Sequence, residues 1–574
     1  MRVGIHMPGP LALRQAQGER TRERARGERA PEKARGGRAL LSARAEPVEA
    51  RAVARLLAAV LTLLVAFAAH AAPDRETTAL HALEALRAED PDAAEALLAP
   101  LAPWEQAGDM VRYAAGALRF HQQRYPEALE LLRAAGKRDP FGYPELARAA
   151  REVTKDHVRF EAEHFVVSHP KGKDEVLVPY LVEALEKQRA ALAQGLGWVP
   201  AGKVAVEIVT DAKQLADLST LDEESVRTTG TVAVAKFNKL MVLTPRALLK
   251  GYDWLDTAAH EYTHNVLTAR TGNRAPLWMQ EGIAKWFEQA WRGKYEPVTP
   301  FSAALLREAA GQKKLVTFAE MHPSFAKLPT PERAALAYAQ VALAIEWLVK
   351  QRGPGALATL TGLIGEGKAW EAAVAQAAGV SWRRFQDDWT RYMGQRPLPK
   401  GGKHELEKLR FKDDPKKGTQ FAEWAEIPDE ESRGHARLGE IFRERGRWSS
   451  ARIEYAKAFS RVGARFPILS GRYALAAAQA GAKREAEKVL SEALAWNPDY
   501  PALNVQMSRL LLERGDLAAA RDHLLAANRV DPFDPEIHAG LAKVLAALGD
   551  TAGAERERRF TRILTGTGQE ATTP

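Results

Sequence analysis

Glycine recurs near the C-terminus with a period of 34 residues (35 in the first interval), and small residues recur around it in the same register. Alanine follows each of the first three glycines at +5 and +12, and proline follows two of them at +17. The positions are Gly446, Gly481, Gly515 and Gly549; Ala451, Ala486, Ala520, Ala458, Ala493 and Ala527; Pro498 and Pro532. A fixed period of this length predicts stacked helix pairs, none of which can bury its apolar face alone. Residues 432–565 are therefore predicted to form an α-solenoid.

This pattern resembles the tetratricopeptide repeat, which has glycine in the turn, small residues where helices approach closely and proline between repeats. The resemblance implies a concave groove that binds a protein partner. The last unit has Arg558 and Thr561 at positions that are normally apolar or small. We expect this of a terminal capping helix with a polar outer face. A bundle of helices without repeats is the alternative.

A second helical region precedes the centre of the chain. Residues 75–150 have a helical pattern, and the spacing of Ala128, Leu132, Ala135 and Pro140 is that of the second helix of such a repeat. One or two repeats, or a repeat-like cap, are predicted there.

The centre of the chain contains an H-E-x-x-H motif at His260, Glu261 and His264. Histidines four residues apart project from one helix face, so both imidazoles can reach one metal ion. Neutral imidazole nitrogen suits zinc, and Glu261 can act as general base on a water bound to that metal. The simpler alternative is a surface helix with two solvated histidines.

A catalytic zinc needs a third protein ligand and one position left for water. Glu281 follows His264 after 16 intervening residues, in a second helix predicted to have Pro276 in its first turn. This distance allows a turn and an antiparallel return, so the Glu281 carboxylate can complete a His-His-Glu set. Glu288 lies two turns further on and is the alternative ligand, or a partner that orients one.

The second segment also has the pattern W-x-x-E-G-x-A, formed by Trp278, Glu281, Gly282 and Ala284. Together the two motifs resemble those of the gluzincin metallopeptidases, particularly the bacterial peptidase MA type. The resemblance covers roughly residues 160–395. It implies a zinc ion on His260, His264 and Glu281, with Glu261 as the base that activates water for peptide hydrolysis.

Peptidase MA relatives also have an A-Y-A-Q sequence, which is matched here by residues 337–340. A tyrosine hydroxyl that faces the metal can stabilise the oxyanion formed during amide hydrolysis. We therefore predict this role for Tyr338. A core tyrosine with a satisfied hydroxyl is the alternative.

Short β-branched runs predict a small sheet around the motif. Strands are predicted at 164–168, 204–209, 231–235 and 240–243, with a helix at 176–196 and a hairpin turn at 237–239. This order of elements is that of the gluzincins. The resemblance implies that an edge strand, residues 231–235, lies beside the zinc, where an extended peptide can add to it. A packed edge strand without that role is the alternative.

The N-terminal 71 residues fall into two segments of different composition. Residues 1–50 are rich in Arg, Glu, Gly and Ala, and are predicted to be disordered or to precede the true start of the protein; a functional basic tail is the alternative. Residues 51–71 combine basic residues, about fourteen apolar residues and an A-x-A site, as in a signal peptide cleaved after Ala71. A periplasmic or secreted protein is expected, or one anchored in the inner membrane if the segment is retained.

The predicted fold class is mostly α, with an α+β thermolysin-like zincin domain and α-solenoid repeats flanking it. Seven regions are predicted: the extension 1–50, the signal peptide 51–71, the helical region 75–150, the zincin domain 158–395, a charged linker 396–431, the solenoid 432–565 and a disordered tail 566–574.

Charge and cysteine content exclude several function classes. Residues 1–55 contain 13 Lys and Arg against 6 Asp and Glu, so seven of the nine net positive charges lie there and the rest of the chain is nearly neutral. We therefore expect no nucleic-acid partner for the folded part. The chain has no cysteine, which excludes disulfides, thiolate zinc sites and cysteine catalysis.

These observations favour an exported zinc-dependent metallopeptidase that acts on peptides or proteins and uses its repeats to bind a substrate or partner. The rival class is a repeat scaffold whose zinc domain is inactive or purely structural. A zinc hydrolase that acts on something other than an amide is a third interpretation, since the motif specifies only activated water.

Overall fold

The computed structural model describes residues 2–4, 74–136, 139, 141–312, 314–321, 325, 328–398, 405–407, 409–413, 424 and 427–566. For residues 2–4, 300 and 405–407 it describes only the backbone. The predicted signal peptide lies outside these ranges. Of the predicted extension only residues 2–4 are described, and of the predicted tail only Gly566. In the part of the chain that is described, no helix is both long and apolar enough to cross a lipid bilayer.

Most of the described chain is helical. The helices are α1 Arg75–Arg87, α2 Pro91–Leu98, α3 Asp109–His121, α4 Tyr125–Ala134, α5 Tyr143–Thr154, α6 Val178–Leu196, α7 Ala212–Ser219, α8 Glu223–Thr229, α9 Trp254–Thr271, α10 Leu277–Phe287, α11 Pro300–Gly311, α12 Pro331–Arg352, α13 Ala356–Gly365, α14 Trp370–Ala378, α15 Trp382–Gln395, α16 Glu430–Glu444, α17 Trp448–Val462, α18 Pro467–Gln479, α19 Lys483–Trp496, α20 Pro501–Arg514, α21 Leu517–Asn528, α22 Pro535–Ala547 and α23 Thr551–Thr565. The strands are β1 Arg2–Gly4, β2 His157–Glu161, β3 Phe165–Pro170, β4 Val204–Val209, β5 Ala233–Lys236, β6 Lys239–Leu243 and β7 Glu405–Glu407.

Five strands form the sheet of the central domain, in the order β2-β3-β4-β6-β5. Neighbours β3, β4 and β6 are parallel, whereas the edge strands β2 and β5 are antiparallel to their partners. Helix α9 packs beside β5 and β6 and contacts α6, α10 and α13. A short parallel pair, β1 with β7, lies outside this sheet.

The hairpin of β5 and β6 differs in register from the prediction. Its turn consists of two residues, Phe237 and Asn238, which both have positive φ (59° and 53°). A two-residue turn of this kind matches the twist of the flanking strands, so Lys239 already belongs to β6. Strand β5 begins at Ala233 rather than Thr231, because the Thr231 N–H bonds back to the Val226 carbonyl at the end of α8.

Two further elements differ from the sequence prediction. Strand β2 was missed, although Val158 and Phe160 alternate with charged residues, because that signal spans only five residues. The helix predicted at 176–196 begins at Val178, after a 3-10 turn over Lys173–Leu177.

In the N-terminal region, α5 packs on β3 and α7 of the central domain, and Tyr125 of α4 contacts Lys239 of β6. Helices α3 and α4 approach closely at Gly116, where an added Cβ would lie 2.7 Å from Leu132 Cγ. A small residue at this crossing lets the two helices approach closely. Ala128 and Leu132 are buried in α4, while Pro140 lies outside the described residues.

The C-terminal helices α16 to α23 form four successive pairs. The periodic glycines Gly446, Gly481, Gly515 and Gly549 all adopt positive φ, between 68° and 86°, in the turn inside each pair. This conformation suits glycine because it has no Cβ.

The last solenoid helix, α23, packs against the central domain with one of its faces. Arg558 is exposed, as predicted for the outer face. On the other face, Phe560 and Leu564 are buried in the core of the central domain. Arg556 lies over the Tyr180 ring, 5.4 Å from its centroid. The solenoid is therefore docked onto the central domain rather than merely linked to it.

Part of the predicted linker is also docked. The Leu249 N–H donates to the Arg410 carbonyl (2.9 Å) and the Lys412 N–H to the Ala247 carbonyl (2.8 Å). Leu248 and Phe411, both buried, form the bridge between these bonds. Residues 409–413 thus add a short extended segment to the central domain.

Candidate metal centre

Helix α9 presents the H-E-x-x-H motif in the domain interior. The Asp253 side chain accepts a hydrogen bond from the Asp256 N–H at the helix start, and Gly272, at φ 56°, ends the helix. His260 and His264 are only 3% and 1% exposed. The alternative of a surface helix with solvated histidines is therefore wrong.

Glu281 comes from α10 and meets both histidines. Pro276 is the N-cap residue of α10 rather than part of its first turn. His260 Nε2 and His264 Nε2 are 3.0 Å apart, and Glu281 Oε2 lies 3.4 Å from each of them. These three side chains are the group of potential metal ligands that the described residues bring together.

The donor set fits a tetrahedral zinc ion. Bonds of about 2.0–2.2 Å would separate ligand atoms by about 3.3–3.6 Å in a tetrahedral site, close to the three distances observed. Neither carboxylate oxygen of Glu281 accepts a hydrogen bond from another described residue, although both are buried. The two imidazoles at 3.4 Å compensate this buried carboxylate only in part, and a cation between the three side chains would satisfy it.

Glu288 does not lie in this group but supports it. Its Oε2 is 3.1 Å from His260 Nδ1 and 2.6 Å from Lys285 Nζ. A hydrogen bond from Nδ1 fixes the ring and leaves Nε2 free to bind a metal. Of the two roles predicted for Glu288, the geometry matches that of a partner that orients a ligand.

The charges in this cluster shift the pKa values of its members. Burial alone would lower the pKa of His260, but contact with the Glu281 and Glu288 carboxylates outweighs it and raises the pKa to about 9. Burial would raise the pKa of Glu281, yet the neighbouring His264 and His260 lower it to about 2. Without a metal, the cluster is thus an ion pair whose proton a metal must displace.

Glu261 is not part of this ligand group and contacts the sheet edge. Its Oε2 accepts a hydrogen bond of 2.8 Å from the Ala235 N–H of β5. This contact places the edge strand beside the centre and keeps the Glu261 carboxylate out of the metal-ligand set. Ala235 contributes through its backbone, so no side-chain signal marked it in the sequence.

Tyr338 on α12 faces the same centre. Its hydroxyl is buried and forms no hydrogen bond of normal geometry with the residues described. Burial, together with the negative charge of Glu281 and Glu261, raises the pKa of Tyr338 well above its usual range. The oxyanion role of Tyr338 stays a prediction.

Two glutamines missed by sequence reasoning fix the surrounding elements. Gln340 bonds to both the N–H and the carbonyl of Val316 at 2.9 Å, so its side chain takes the place of a strand partner for that loop. Gln188 of α6 donates to Thr263 Oγ1 and to the Phe287 carbonyl, both at 3.0 Å. It thereby joins the two ligand-bearing helices. The A-Y-A-Q match was the available signal for Gln340, and none marked Gln188.

Helices α10 and α12 approach closely at Gly282. An added Cβ would lie 2.8 Å from the Val341 carbonyl oxygen and 2.9 Å from Ile345 Cγ1. The glycine that follows Glu281 in the second motif therefore allows the helix with the third ligand to pack against the helix with Tyr338.

Two protein-family models match the chain. The Peptidase MA superfamily model covers residues 185–395, which contain the buried His-His-Glu group and Tyr338. A tetratricopeptide repeat model covers residues 477–544. The chain therefore contains a Peptidase MA superfamily domain and tetratricopeptide repeats, and the predicted fold class is confirmed: mostly α, with an α+β zincin-like domain and repeat helices.

The comparison with curated proteins found no match. Among solved structures, native leukotriene A4 hydrolase from Saccharomyces cerevisiae is 11% identical, with 71% of this chain and 67% of that chain covered at a TM-score of 0.30. The yeast enzyme in complex with bestatin is 13% identical over the same shares, at 0.26. The Cut9-Hcn1 hetero-tetramer of the APC/C is 10% identical, with 83% of each chain covered at 0.24. Scores this low support no argument about fold or activity.

Proposed function

We propose that this protein is a zinc-dependent metallopeptidase that hydrolyses peptide bonds. The observation that carries the proposal is the buried triangle of His260 Nε2, His264 Nε2 and Glu281 Oε2, with sides of 3.0–3.4 Å. The match of residues 185–395 to the Peptidase MA superfamily supports it.

His260, His264 and Glu281 would hold a zinc ion, which would supply the Lewis acidity that polarises a carbonyl and lowers the pKa of a water molecule. Glu261 then takes the proton of the attacking water and delivers it to the leaving amine. The Ala235 N–H holds Glu261 Oε2 on the sheet side, so the carboxylate is oriented for this transfer and does not compete for the metal.

Tyr338 and the sheet edge position the substrate in this proposal. The Tyr338 hydroxyl, held near Glu281 and Glu261 without a partner of its own, donates to the oxyanion that develops on the scissile carbonyl. An extended peptide adds to β5 through backbone hydrogen bonds, which sets its scissile bond beside Glu261.

We further propose that the tetratricopeptide groove binds a protein substrate or partner, and that the protein is exported by residues 51–71. Binding of one molecule at two places raises its local concentration at the second. N-terminal sequencing of native protein tests the export: a mature chain that begins at Ala72 supports it, and a retained segment in the membrane fraction indicates an anchor instead.

The central experiment compares wild type, Glu261→Gln and His264→Ala by metal analysis and by cleavage of a degenerate fluorogenic peptide library. We expect about one zinc per chain in the first two proteins and none in His264→Ala. Cleavage should fall at least about 100-fold in Glu261→Gln, because the general base is lost. Zinc without cleavage in the wild type would favour the scaffold or a different zinc hydrolase.

Tyr338→Phe tests the oxyanion role separately. We expect kcat to fall by about 100-fold or more with little change in KM, as when one oxyanion donor is removed. Unchanged turnover in a variant that still binds zinc would show that Tyr338 only packs.

A further inference from the structure

Strand β2 is an edge of the sheet that remains exposed on both faces. Four of its five residues are exposed, and Val158 and Phe160 are among the most exposed large apolar side chains of the described chain, at 40% and 46%. An exposed edge with apolar side chains is a template for pairing with another strand.

The backbone of β2 is oriented for such pairing. The Ala162 N–H donates to the Phe165 carbonyl (2.8 Å), so Ala162, Phe160 and Val158 direct their backbone groups toward β3. The N–H and carbonyl groups of Arg159 and Glu161 therefore point away from the sheet. They are available to a strand that approaches from outside.

The side chains of β2 are complementary to those of a second β2 strand that runs antiparallel to it. Arg159 and Glu161 lie on one face and have opposite charges, with Arg159 Nε 3.5 Å from Glu161 Oε1. A two-fold axis through Phe160 would set Arg159 opposite the partner's Glu161 and Glu161 opposite the partner's Arg159. Cross-strand pairs of opposite charge stabilise a sheet.

Phe160 itself fits at such an axis. By the alternation of the ladder, it would face the partner's Phe160 at a position without backbone bonds, where opposite Cα atoms are only about 4.5 Å apart. Aromatic rings paired across strands add stability beyond the area they bury. Charge pattern, aromatic pairing and backbone alternation thus agree on one register.

We propose that β2 pairs antiparallel with β2 of a second copy of this chain, with the two-fold axis at Phe160, so that the two sheets form one continuous sheet. An interface of this type is self-complementary, as closed two-fold dimers require. The proposal does not depend on the metal centre or on catalysis.

Charge variants of the purified full chain test the pairing. By sedimentation velocity we expect the wild type at twice the monomer mass, and both R159E and E161R as monomers, because each places like charges opposite each other. Mixed in equal amounts, the two variants should form a heterodimer, since every acidic position then faces a basic one. Failure of the mixture to dimerise, or a wild type that stays monomeric, would overturn the proposal.

Matched controls exclude unfolding and unspecific effects. R148E changes an exposed arginine of α5, and F141S removes another exposed aromatic ring; both should remain dimeric. R159P should also be a monomer, because it removes an N–H that would bond to the partner strand. It should still fold, because an edge strand tolerates proline where the N–H points outward. Dimers of R159P would indicate a different interface.

The absence of native cysteine allows the register to be measured. F160C should form a disulfide between subunits on oxidation, because the two positions face each other. V158C should not, because Val158 would lie opposite the partner's Ala162. A crosslink through R159C instead of F160C would contradict the register, and capture of an extended peptide by a monomeric wild type would identify a different occupant.

Discussion

The two helical regions that flank the central domain are built alike but contact it through different chemistry. The N-terminal region uses buried side chains: Tyr125 of α4 meets Lys239 and Glu207 of the sheet, with Lys239 Nζ 3.0 Å from the Tyr125 hydroxyl and 3.3 Å from Glu207 Oε2. Lys239 and Glu207 are both fully buried. Both charges belong to the sheet, and the Tyr125 hydroxyl of α4 packs onto them, so this contact is a buried polar cluster.

Besides the buried side chains of α23, the solenoid contacts the same domain through main-chain carbonyls near the start of α9. The backbone N–H of Trp254 donates to the Arg529 carbonyl and its indole N–H to the Asn528 carbonyl, both at 3.1 Å. Gly251 lies so close that an added Cβ would be 2.0 Å from the Val530 carbonyl oxygen. Because Trp254 begins the metal-binding helix α9, the solenoid is joined directly to the metal centre's main element.

The difference between these two contacts predicts which substitutions each of them can tolerate. A charged cluster fails when one partner is removed, because the other charge stays buried without compensation. A backbone contact is indifferent to most side chains but fails when one methyl group is added in its path. The Tyr125 contact should therefore be sensitive to loss of the charges beneath it, and the backbone contact at Gly251 and Trp254 to gain of volume.

Lys239→Met should have the largest effect. It leaves the Glu207 carboxylate buried without its cation, and we expect a loss of about 3–5 kcal/mol in the free energy of unfolding, measured by urea denaturation. The double variant Glu207→Leu, Lys239→Met removes both charges and should recover most of this loss. A single variant within about 1 kcal/mol of wild type would mean that the pair contributes little to the stability of the sheet beneath α4.

Gly251→Ala should release the solenoid. The added Cβ meets the Val530 carbonyl, and Gly251 already has φ 66°, so we expect a cost of about 2–4 kcal/mol from overpacking and backbone strain. Amide hydrogen exchange should rise in the first turn of α9, and proteolysis of the linker should accelerate.

Gly446→Ala is the matched control for that change. Its φ is 68°, nearly the same, but no atom lies within 4 Å of the added Cβ. Only the backbone strain remains, about 1–2 kcal/mol, and α9 should be unaffected. Equal effects of the two alanines on hydrogen exchange in α9 would argue against a specific contact at Gly251.

Trp254→Phe should have a smaller effect. It removes the indole donor to the Asn528 carbonyl and some packing. Trp389→Phe is the control, because the Trp389 indole N–H is buried without a partner among the described residues. The first variant should lose about 1 kcal/mol more than the second, the net contribution of one buried hydrogen bond. Thermal unfolding of both proteins measures the difference, and equal losses would indicate that packing alone matters.

The candidate metal centre was visible in the sequence because it depends on side-chain identity at fixed spacing. His260, His264, Glu281 and Tyr338 were all nominated there, and the structure brings them together. The roles of these residues stay predictions. The repeat helices were equally visible, because glycine in a left-handed turn recurs with their period.

The contacts made by the backbone could not be read from the sequence. The Ala235 N–H that holds Glu261, and the carbonyls of Asn528 and Arg529 that hold Trp254, are groups that any residue can supply. Gly251 is one glycine among 42, and its close contact depends on a segment almost 280 residues away. Such long-range pairings leave no local pattern, so the docking of the solenoid on α9 went unpredicted.

The smallest effect on stability is expected from Arg227→Gln at the linker, where a side-chain ion pair and backbone hydrogen bonds occur side by side. Arg227 forms a bidentate ion pair with Asp413, at 2.9 and 2.8 Å, but Asp413 is half exposed. Exposed pairs contribute about 0–1 kcal/mol and weaken with salt, so Arg227→Gln should barely change protease resistance of the linker. Lys412→Pro removes the N–H that donates to the Ala247 carbonyl and should release the segment clearly. If Arg227→Gln released it as fully, side-chain charge rather than backbone pairing would hold the linker, and the solenoid side of the molecule would then resemble the N-terminal side.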